Sequence, residues 1–359
     1  MKIIISGGGT AGHINPALAV AELLRERGDE VLFVGAEGKM EMERVPHAGF
    51  SIIGLPVVGI QRRLTLKNLA VPFKLLRSLS KAGNIIKNFK PDVVVGFGGY
   101  ASAPIVRAAQ KRGIKTVIQE QNSYAGLTNR ALAKKAYRIC VAYEGMERFF
   151  PAEKIVITGN PLRSVLTNLP SREQALKIFD LEPAKRTILV VGGSLGTRTL
   201  NEMVVQNEIP SNVQLIWQCG RYYYDEMVER AAHKIPLAYI ERMDCAYSVA
   251  DVVITRAGAS TVSELQLIGK PTVFVPSPNV AEDHQTHNAM SLVKRGAAVL
   301  VKDSEAINSA MQMAVELAGD TERCLEMAAA QRAMGRMDAA SDVVKVISAQ
   351  NYPNCLMPS

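Results

Sequence analysis

The sequence predicts an α/β protein of two parallel-sheet domains facing a central cleft, and three observations carry that expectation. Glycine-rich loops follow apolar, strand-like runs in both halves of the chain, as Gly7-Gly8-Gly9-Thr10-Ala11-Gly12 and as Gly192-Gly193-Ser194-Leu195-Gly196. Short β-branched runs alternate with longer amphipathic stretches throughout, the pattern of parallel sheets covered by helices on both faces. At 359 residues the chain exceeds one ordinary core, so two domains of about 150–180 residues are expected.

The elements follow in order. In the first half, Ile3–Ser6, Val31–Gly35, Val93–Gly96, Thr116–Gln119 and Arg138–Val141 are short, β-branched and bounded by glycine or polar residues, and are predicted strands. Between them, Pro16–Arg27, Leu66–Lys87, Ala103–Lys111 and Thr128–Ala136 place apolar residues at helical spacing. Gly and Pro in Thr158-Gly-Asn-Pro-Leu-Arg163 punctuate a strand end, and the linker is set there. The second half repeats the scheme. Its predicted strands are Ile188–Val191, Leu215–Gln218, Val252–Thr255 and Thr272–Val275; its predicted helices are Thr199–Asn207, Tyr222–Ala232, Thr261–Leu267 and His287–Lys294. The last predicted helix, 338–349, carries Val343, Val344 and Ile347 on one stripe and is expected to cross back to the first domain. The expected domains are therefore 1–160 with 338–359, and 161–337.

Composition narrows the function. With 48% apolar and 21% charged residues, both halves can bury a core. The longest apolar runs are strand-sized, far below the roughly 20 residues that span a bilayer. Glycines follow Met1–Ile5 at once, so no signal peptide is expected. Five scattered cysteines, with no C-x-x-C pair, read as reduced thiols in a cytoplasmic protein. A net charge of +8 calls for an anionic partner. Nucleic acid fits poorly, because aromatics are few and not interleaved with the basic residues. The chain has no G-x-x-x-x-G-K-[ST] loop for ATP hydrolysis and no Asp-x-Asp motif for a metal-bridged diphosphate.

Several segments can carry chemistry. The first loop formally satisfies G-x-G-x-x-G, with Glu37 after the next strand, so a nicotinamide dinucleotide is one reading. His13 follows its last glycine at a helix start, where the positive helix end disfavours the imidazolium and suits a general base. A capping or packing histidine is the alternative. Gly98, Gly99 and Tyr100 belong to a further glycine loop after a strand. Glu120 and Asn122 end another strand of the same sheet, with solvated loop ends as the plain reading. In the second half, Ser194 sits in a nest of N–H donors that fits a pyrophosphate, the alternative being a tight strand–helix turn that needs glycine only for packing. Arg256, Gly258, Ala259, Ser260, Thr261, Val262, Ser263 and Glu264 follow a strand and open a helix, again exposing N–H groups to phosphate. Glu264 can accept from ribose hydroxyls or reach back as a capping-box residue to Ser260 or Thr261. The polar loop from Pro276 to Gln285 is placed to hold a sugar, with a solvated loop as the plain reading.

One stretch points to a membrane. Leu69, Val71, Phe73, Leu75, Leu76 and Leu79 are interleaved with Arg62, Arg63, Lys67, Lys74, Arg77 and Lys81, and no acidic residue occurs from Arg62 to Lys90. An amphipathic segment with only positive charge on its polar side reads as binding an anionic membrane surface; an ordinary helix packed on the sheet is the alternative, which explains the leucines but not the missing carboxylates.

Taken together, these motifs resemble the MurG family of GT-B glycosyltransferases. The resemblance is carried by Gly8 to His13, Gly96 to Tyr100, Glu120-Gln121-Asn122 with Ala125 to Asn129, Gly159-Asn160-Pro161 with Arg163, Gly192-Gly193-Ser194, and Arg256 to Glu264. It covers nearly the whole chain and implies two Rossmann-like domains. The implied reaction transfers N-acetylglucosamine from UDP-GlcNAc to the 4-hydroxyl of a lipid-linked muramoyl-pentapeptide. The anomeric carbon inverts, no cofactor or metal is required, and the enzyme sits at the cytoplasmic face of the cell membrane as a peripheral protein. The resemblance further implies that Ser194 and the N–H groups of Ala259, Ser260 and Thr261 meet the donor diphosphate, Glu264 the ribose, and the backbone of Ile240 the uracil. Arg163, Arg256, Val262, Ser263 and Gln285 complete the donor site, which Thr10, Ala11, Gly12 and Asn122 approach from the first domain. Gly8, Gly9, Gly98, Gly99 and Tyr100 would receive the acceptor pyrophosphate. His13 is the preferred base and Glu120 its rival. His284 stands where the family often has a glutamine. A UDP-sugar epimerase, or another lipid glycosyltransferase of this fold, is the alternative. Cell-wall synthesis proteins are the partners such an enzyme would meet.

Overall fold

The computed structural model describes residues 1–57, 71–162 and 168–349. The chain divides into two compact units, Met1–Arg163 with Asp338–Ser359, and Ser164–Met337. Among the described residues, the first unit holds seven strands, β1 (Lys2–Ser6), β2 (Glu30–Ala36), β3 (Ser51–Leu55), β4 (Val93–Gly96), β5 (Lys115–Glu120), β6 (Arg138–Val141) and β7 (Ile155–Ile157). Their order is β3-β2-β1-β4-β5-β6-β7, and every pairing is parallel. Both faces of the sheet are covered, which is why its central strands are apolar at successive positions instead of alternating. Ile4, Val94 and Ile118 enter one core with Ile105, while Ile3, Ile5, Val93, Val95 and Val117 enter the other with Ile14 and Leu18.

The second unit repeats the plan with β8 (Arg186–Val191), β9 (Val213–Gln218), β10 (Pro236–Leu237), β11 (Val252–Thr255), β12 (Thr272–Phe274) and β13 (Val299–Leu300). Its order is β10-β9-β8-β11-β12-β13, again all parallel. In both sheets the strand order reverses beside the first strand, between β1 and β4 and between β8 and β11. Loops leaving such neighbours diverge to opposite faces, and the crevice they leave at the carboxyl ends is where α/β sheets take ligands.

The helix Ala339–Ser348 lies against the helix Ala11–Glu26 in the first unit. Val343, Val346 and Ile347 are buried there, and Val344 only partly, so the buried stripe is rotated from the expected one. Each buried side chain contributes about 1.5–3 kcal/mol. Lys115 anchors the end of that helix by donating to the carbonyls of Ile347 at 2.9 Å and Ala349 at 2.5 Å.

Helix starts depart from expectation in an informative direction. The first helix begins at Ala11, five residues before Pro16, with Thr10 as its extended N-cap. Proline lacks an N–H, so its place inside the second turn costs the bond to Gly12 O, which the helix tolerates. Gly12 and His13 therefore lie in the first helical turn. The helices Ala259–Ile268 and His284–Val293 also start earlier than expected. Small residues that read as loop are in fact first turns. Among the described residues, no helix is long and apolar enough to cross a membrane.

Candidate functional site

In the first unit, the loops after β1 and β4 meet at the strand-order reversal. A Cβ on Gly99 would stand 2.5 Å from Gly8 O, and one on Gly7 would stand 2.8 Å from Phe97 Cβ, so only glycine permits this contact. The His13 ring packs on the second loop, where a Cβ on Gly98 would lie 3.2 Å from its Nε2. Its Nδ1 lies 3.0 Å from Gly8 O and 3.1 Å from Thr10 Oγ1. Tyr100 packs beside Gly9, which adopts φ +83°. The structure thus gathers Gly8, Gly9, Thr10, Ala11, Gly12, His13, Gly98, Gly99 and Tyr100 in one place. One expectation changes: the Gly9 N–H, assigned to an acceptor pyrophosphate, donates to Glu41 at 3.0 Å.

Glu120, at the end of β5, is buried. Its Oε1 accepts from Asn122 N at 3.1 Å and Asn122 Nδ2 at 3.2 Å; its Oε2 accepts from Gly126 N at 3.0 Å and Asn129 Nδ2 at 2.9 Å. Burial raises its pKa, and those four bonds oppose the rise. Four aligned donors occupy the lone pairs that a base would need, so Glu120 is built to hold the turn at 121–129. Asn122 is bound into that turn.

In the second unit, a cavity of about 510 Å³ opens at the corresponding reversal, between β8 and β11. Gly192, Gly193 and Thr197 line it from the second glycine loop, Gly258 and Thr261 from the start of the helix Ala259–Ile268, Ser277 from the loop after β12, and Gln285 from the first turn of the helix His284–Val293. Two helix N-termini therefore open on one cavity, at Arg198 and Ala259, an arrangement that favours anionic groups. Thr197 Oγ1 closes its turn on Gly192 O at 2.8 Å. Gln285 Oε1 accepts the Ser277 N–H at 2.9 Å. Arg256 lines the wall, its Nη1 2.6 Å from Asp303 Oδ1, and donates to the carbonyls of Val275 at 2.9 Å and Pro276 at 3.1 Å. Asp303 Oδ1 has no well-aligned hydrogen-bond donor, so this contact is an ion pair first.

Of the residues expected to hold a donor, Arg256, Thr261 and Gln285 line this cavity, while Ser194, Ile240, Ala259, Ser260, Val262, Ser263, Glu264 and also His284 do not. Ser194 is exposed on the loop tip, and Val262 and Ser263 are buried behind the helix start. The Ile240 N–H is already used, donating to Gln218 Oε1 at 2.8 Å. Gln218 in turn donates from Nε2 to Gly193 O at 2.9 Å and joins the two loops. Glu264 does not form a capping box. Its Oε2 accepts from the Tyr247 hydroxyl (Oη) at 2.9 Å. Burial pushes its pKa up to about 7, and the Tyr247 bond works against that rise. Arg163, Arg62, Arg63 and Lys67 lie outside the described residues, as do the side chains of Phe73 and Lys74. Leu76 is 66% exposed next to exposed Arg77. Lys81 is not an unopposed charge, because its Nζ pairs with Glu37 Oε1 at 2.9 Å.

Sequence reasoning missed Glu41, Gln218, Tyr247, Arg198 and Asp303. Arg198 and Asp303 follow directly on strand-to-helix loops, which is the signal that could have found them.

Residues 3–141 match the Glycosyltransferase family 28 N-terminal domain, and residues 187–343 match its C-terminal domain. The chain belongs to glycosyltransferase family 28. A Bacteroides fragilis member, named UDP-N-acetylglucosamine–N-acetylmuramyl-(pentapeptide) pyrophosphoryl-undecaprenol N-acetylglucosamine transferase, is 51% identical over 97% of this chain and 95% of its own length. A Porphyromonas gingivalis protein of the same name is 48% identical over 97% of this chain and 95% of its own. Among solved structures, MurG of Acinetobacter baumannii superposes with TM-score 0.77 at 34% identity, covering 96% of this chain and 98% of that one. This family 28 enzyme therefore has the GT-B fold of two Rossmann-like domains.

Proposed function

We propose that this enzyme transfers N-acetylglucosamine from UDP-GlcNAc to the 4-hydroxyl of undecaprenyl-pyrophosphoryl-MurNAc-pentapeptide, the step that completes the lipid-linked precursor of peptidoglycan. The observation that carries the proposal is the 51% identity, along nearly all of both chains, to a relative named for this reaction. The second-unit cavity supports it, since two helix N-termini and Arg256 suit a nucleoside diphosphate. His13 takes the proton of the acceptor 4-hydroxyl as that oxygen attacks the anomeric carbon. The bond from that carbon to the diphosphate oxygen breaks on the opposite side, and its electron pair leaves with UDP. Inversion follows from in-line attack. The N–H groups at Arg198 and Ala259, with Arg256, offset the growing negative charge. The test is incubation with UDP-GlcNAc and the lipid-linked acceptor. UDP appearing only when both are present supports transfer; UDP released from the donor alone, or no release with both, rejects it.

Glu264 gives this reading a pH signature. Ribose hydroxyls donate to it best when it is ionised, and its pKa of about 7 places that change near neutrality. UDP-GlcNAc affinity is therefore expected to rise as pH increases through about 7 and to level off above. The intact sugar nucleotide is the right probe, because it has no monoester phosphate titrating in that window. Glu264→Gln should bind weakly and lose the pH dependence. Tyr247→Phe removes the bond that favours the carboxylate, so the midpoint should move to higher pH. Calorimetric titration between pH 5.5 and about 8.5 reads all three, and a flat wild-type profile rejects the assignment.

The basic segment is proposed to hold the enzyme on the cytoplasmic membrane face. Exposed Leu76 beside Arg77 supports this. With each cation near an anionic surface worth about 1 kcal/mol, replacing Lys74 and Arg77 by Glu should weaken phosphatidylglycerol-vesicle binding by roughly 100-fold or more. Vesicle sedimentation measures it, and undiminished binding would remove the segment from the membrane role.

A further inference from the structure

Beneath the first glycine loop lies a carboxylate that the proposed mechanism does not use. Glu41 opens the short helix Glu41–His47 after β2 and is 0% exposed. Its Oε1 accepts the Ala36 N–H at 3.0 Å, and its Oε2 accepts the Gly9 N–H at 3.0 Å. Glycine at two positions makes room for it: a Cβ on Gly8 would stand 2.1 Å from Oε1, and one on Gly35 would stand 2.6 Å from Cγ. The Gly9 N–H belongs to the peptide group whose oxygen is Gly8 O. That oxygen is the one 3.0 Å from His13 Nδ1. A carbonyl can only accept, so Nδ1 carries the proton and the imidazole lone pair is on Nε2. Carboxylate, peptide group and imidazole form one hydrogen-bonded series.

We propose that Glu41 is the positioning residue of the base, fixing His13 in its Nδ1–H tautomer and raising the basicity of Nε2 through the Gly8–Gly9 peptide group. This rests on the reading of His13 as the base. The physical basis is polarisation along the series. A buried carboxylate on the N–H side shifts electron density to the carbonyl oxygen, and hydrogen bonds in a chain strengthen one another. The oxygen then holds the Nδ1–H more firmly and stabilises the imidazolium that forms when Nε2 takes the acceptor proton. An aspartate does the same for the histidine of a hydrolytic triad by direct contact; here a backbone peptide group is interposed. Thr10 Oγ1, 3.1 Å from Nδ1, can share the same proton. The geometry also explains why glycine is needed at position 8 without invoking any phosphate there.

The test is nitrogen NMR on the full chain with labelled histidine, His13 being assigned by loss of its signals in His13→Gln. The wild type is expected to show the Nδ1–H tautomer above the His13 pKa. Glu41→Gln should lower that pKa, reduce kcat about 10-fold with donor KM unchanged, and move the acid limb of the kcat profile down with it. In the His13→Gln background the same substitution should change kcat no further. A carboxylate that only braces the loop would alter stability and KM and leave the His13 titration where it was, and that result overturns the proposal. An Nε2–H tautomer in the wild type overturns it as well, even if Glu41→Gln does not fold. Unchanged kcat in His13→Gln would instead reject the base assignment, with the tautomer and titration still judging Glu41.

Discussion

His13→Ala is expected to lower turnover about 10²–10⁴-fold while UDP-GlcNAc affinity stays near the wild-type value. The split follows from where the residue sits. His13 lies in the first unit, in the first turn of the helix Ala11–Glu26 and against the Gly98–Gly99 loop, whereas the cavity suited to the nucleotide belongs to the second unit. Losing the imidazole removes a proton acceptor and leaves the second-unit cavity intact. Glu120→Gln should behave differently. Two of its four hydrogen bonds become mismatched, because the amide nitrogen would face donors where one carboxylate oxygen accepted them, and the turn at 121–129 should loosen. A loss of thermal stability is expected there, with any fall in kcat secondary. Steady-state kinetics beside thermal unfolding separates the two residues. Unaltered turnover in His13→Ala would transfer the base role to another group.

Arg256→Ala is expected to weaken UDP-GlcNAc binding about 100-fold, a change of about 2.8 kcal/mol. Two losses combine. The diphosphate loses a guanidinium on the cavity wall, and Asp303 is left with an unpaired negative charge facing the same anion. Removing one partner of a sheltered ion pair costs more than the pair is worth, because the survivor keeps its desolvation penalty. Thr199 Oγ1, which donates to Asp303 Oδ2 at 3.2 Å, cannot neutralise that charge. The double variant Arg256→Ala/Asp303→Ala should therefore bind better than the single one, recovering the repulsive part. Isothermal titration of both variants checks this, and equal affinities would mean that Asp303 has no influence on the anion.

Much of the fold was readable because its signals are local. A β-branched run that stays apolar at successive positions marks a strand buried on both faces, as in Val93–Gly96, whose residues are all buried. The glycine loops marked the strand-order reversals. Helix starts were misread because Ala11-Gly12 and Ala259-Ser260 are small enough to look like loop, while Pro16 imitates a first helical residue. The larger omissions have one cause. Glu41, Gln218 and Tyr247 act on partners that folding brings near, and nothing in their own neighbourhoods announces it. The same limit affected charge: no acid occurs within the basic segment, yet Glu37 reaches Lys81 from the far end of β2.

The helix Ala339–Ser348 sets an order of events during synthesis. The second unit is one uninterrupted stretch, Ser164–Met337, inserted between the two parts of the first. A ribosome therefore releases most of the first unit long before the residues that finish its core. Until Val343, Val346 and Ile347 emerge, the side of the helix Ala11–Glu26 on which the last helix packs remains uncovered. The second unit has everything it needs as soon as it leaves the exit tunnel. It can fold ahead of the unit that begins the chain, and the nascent enzyme is exposed to aggregation or chaperone capture at its start until its end arrives.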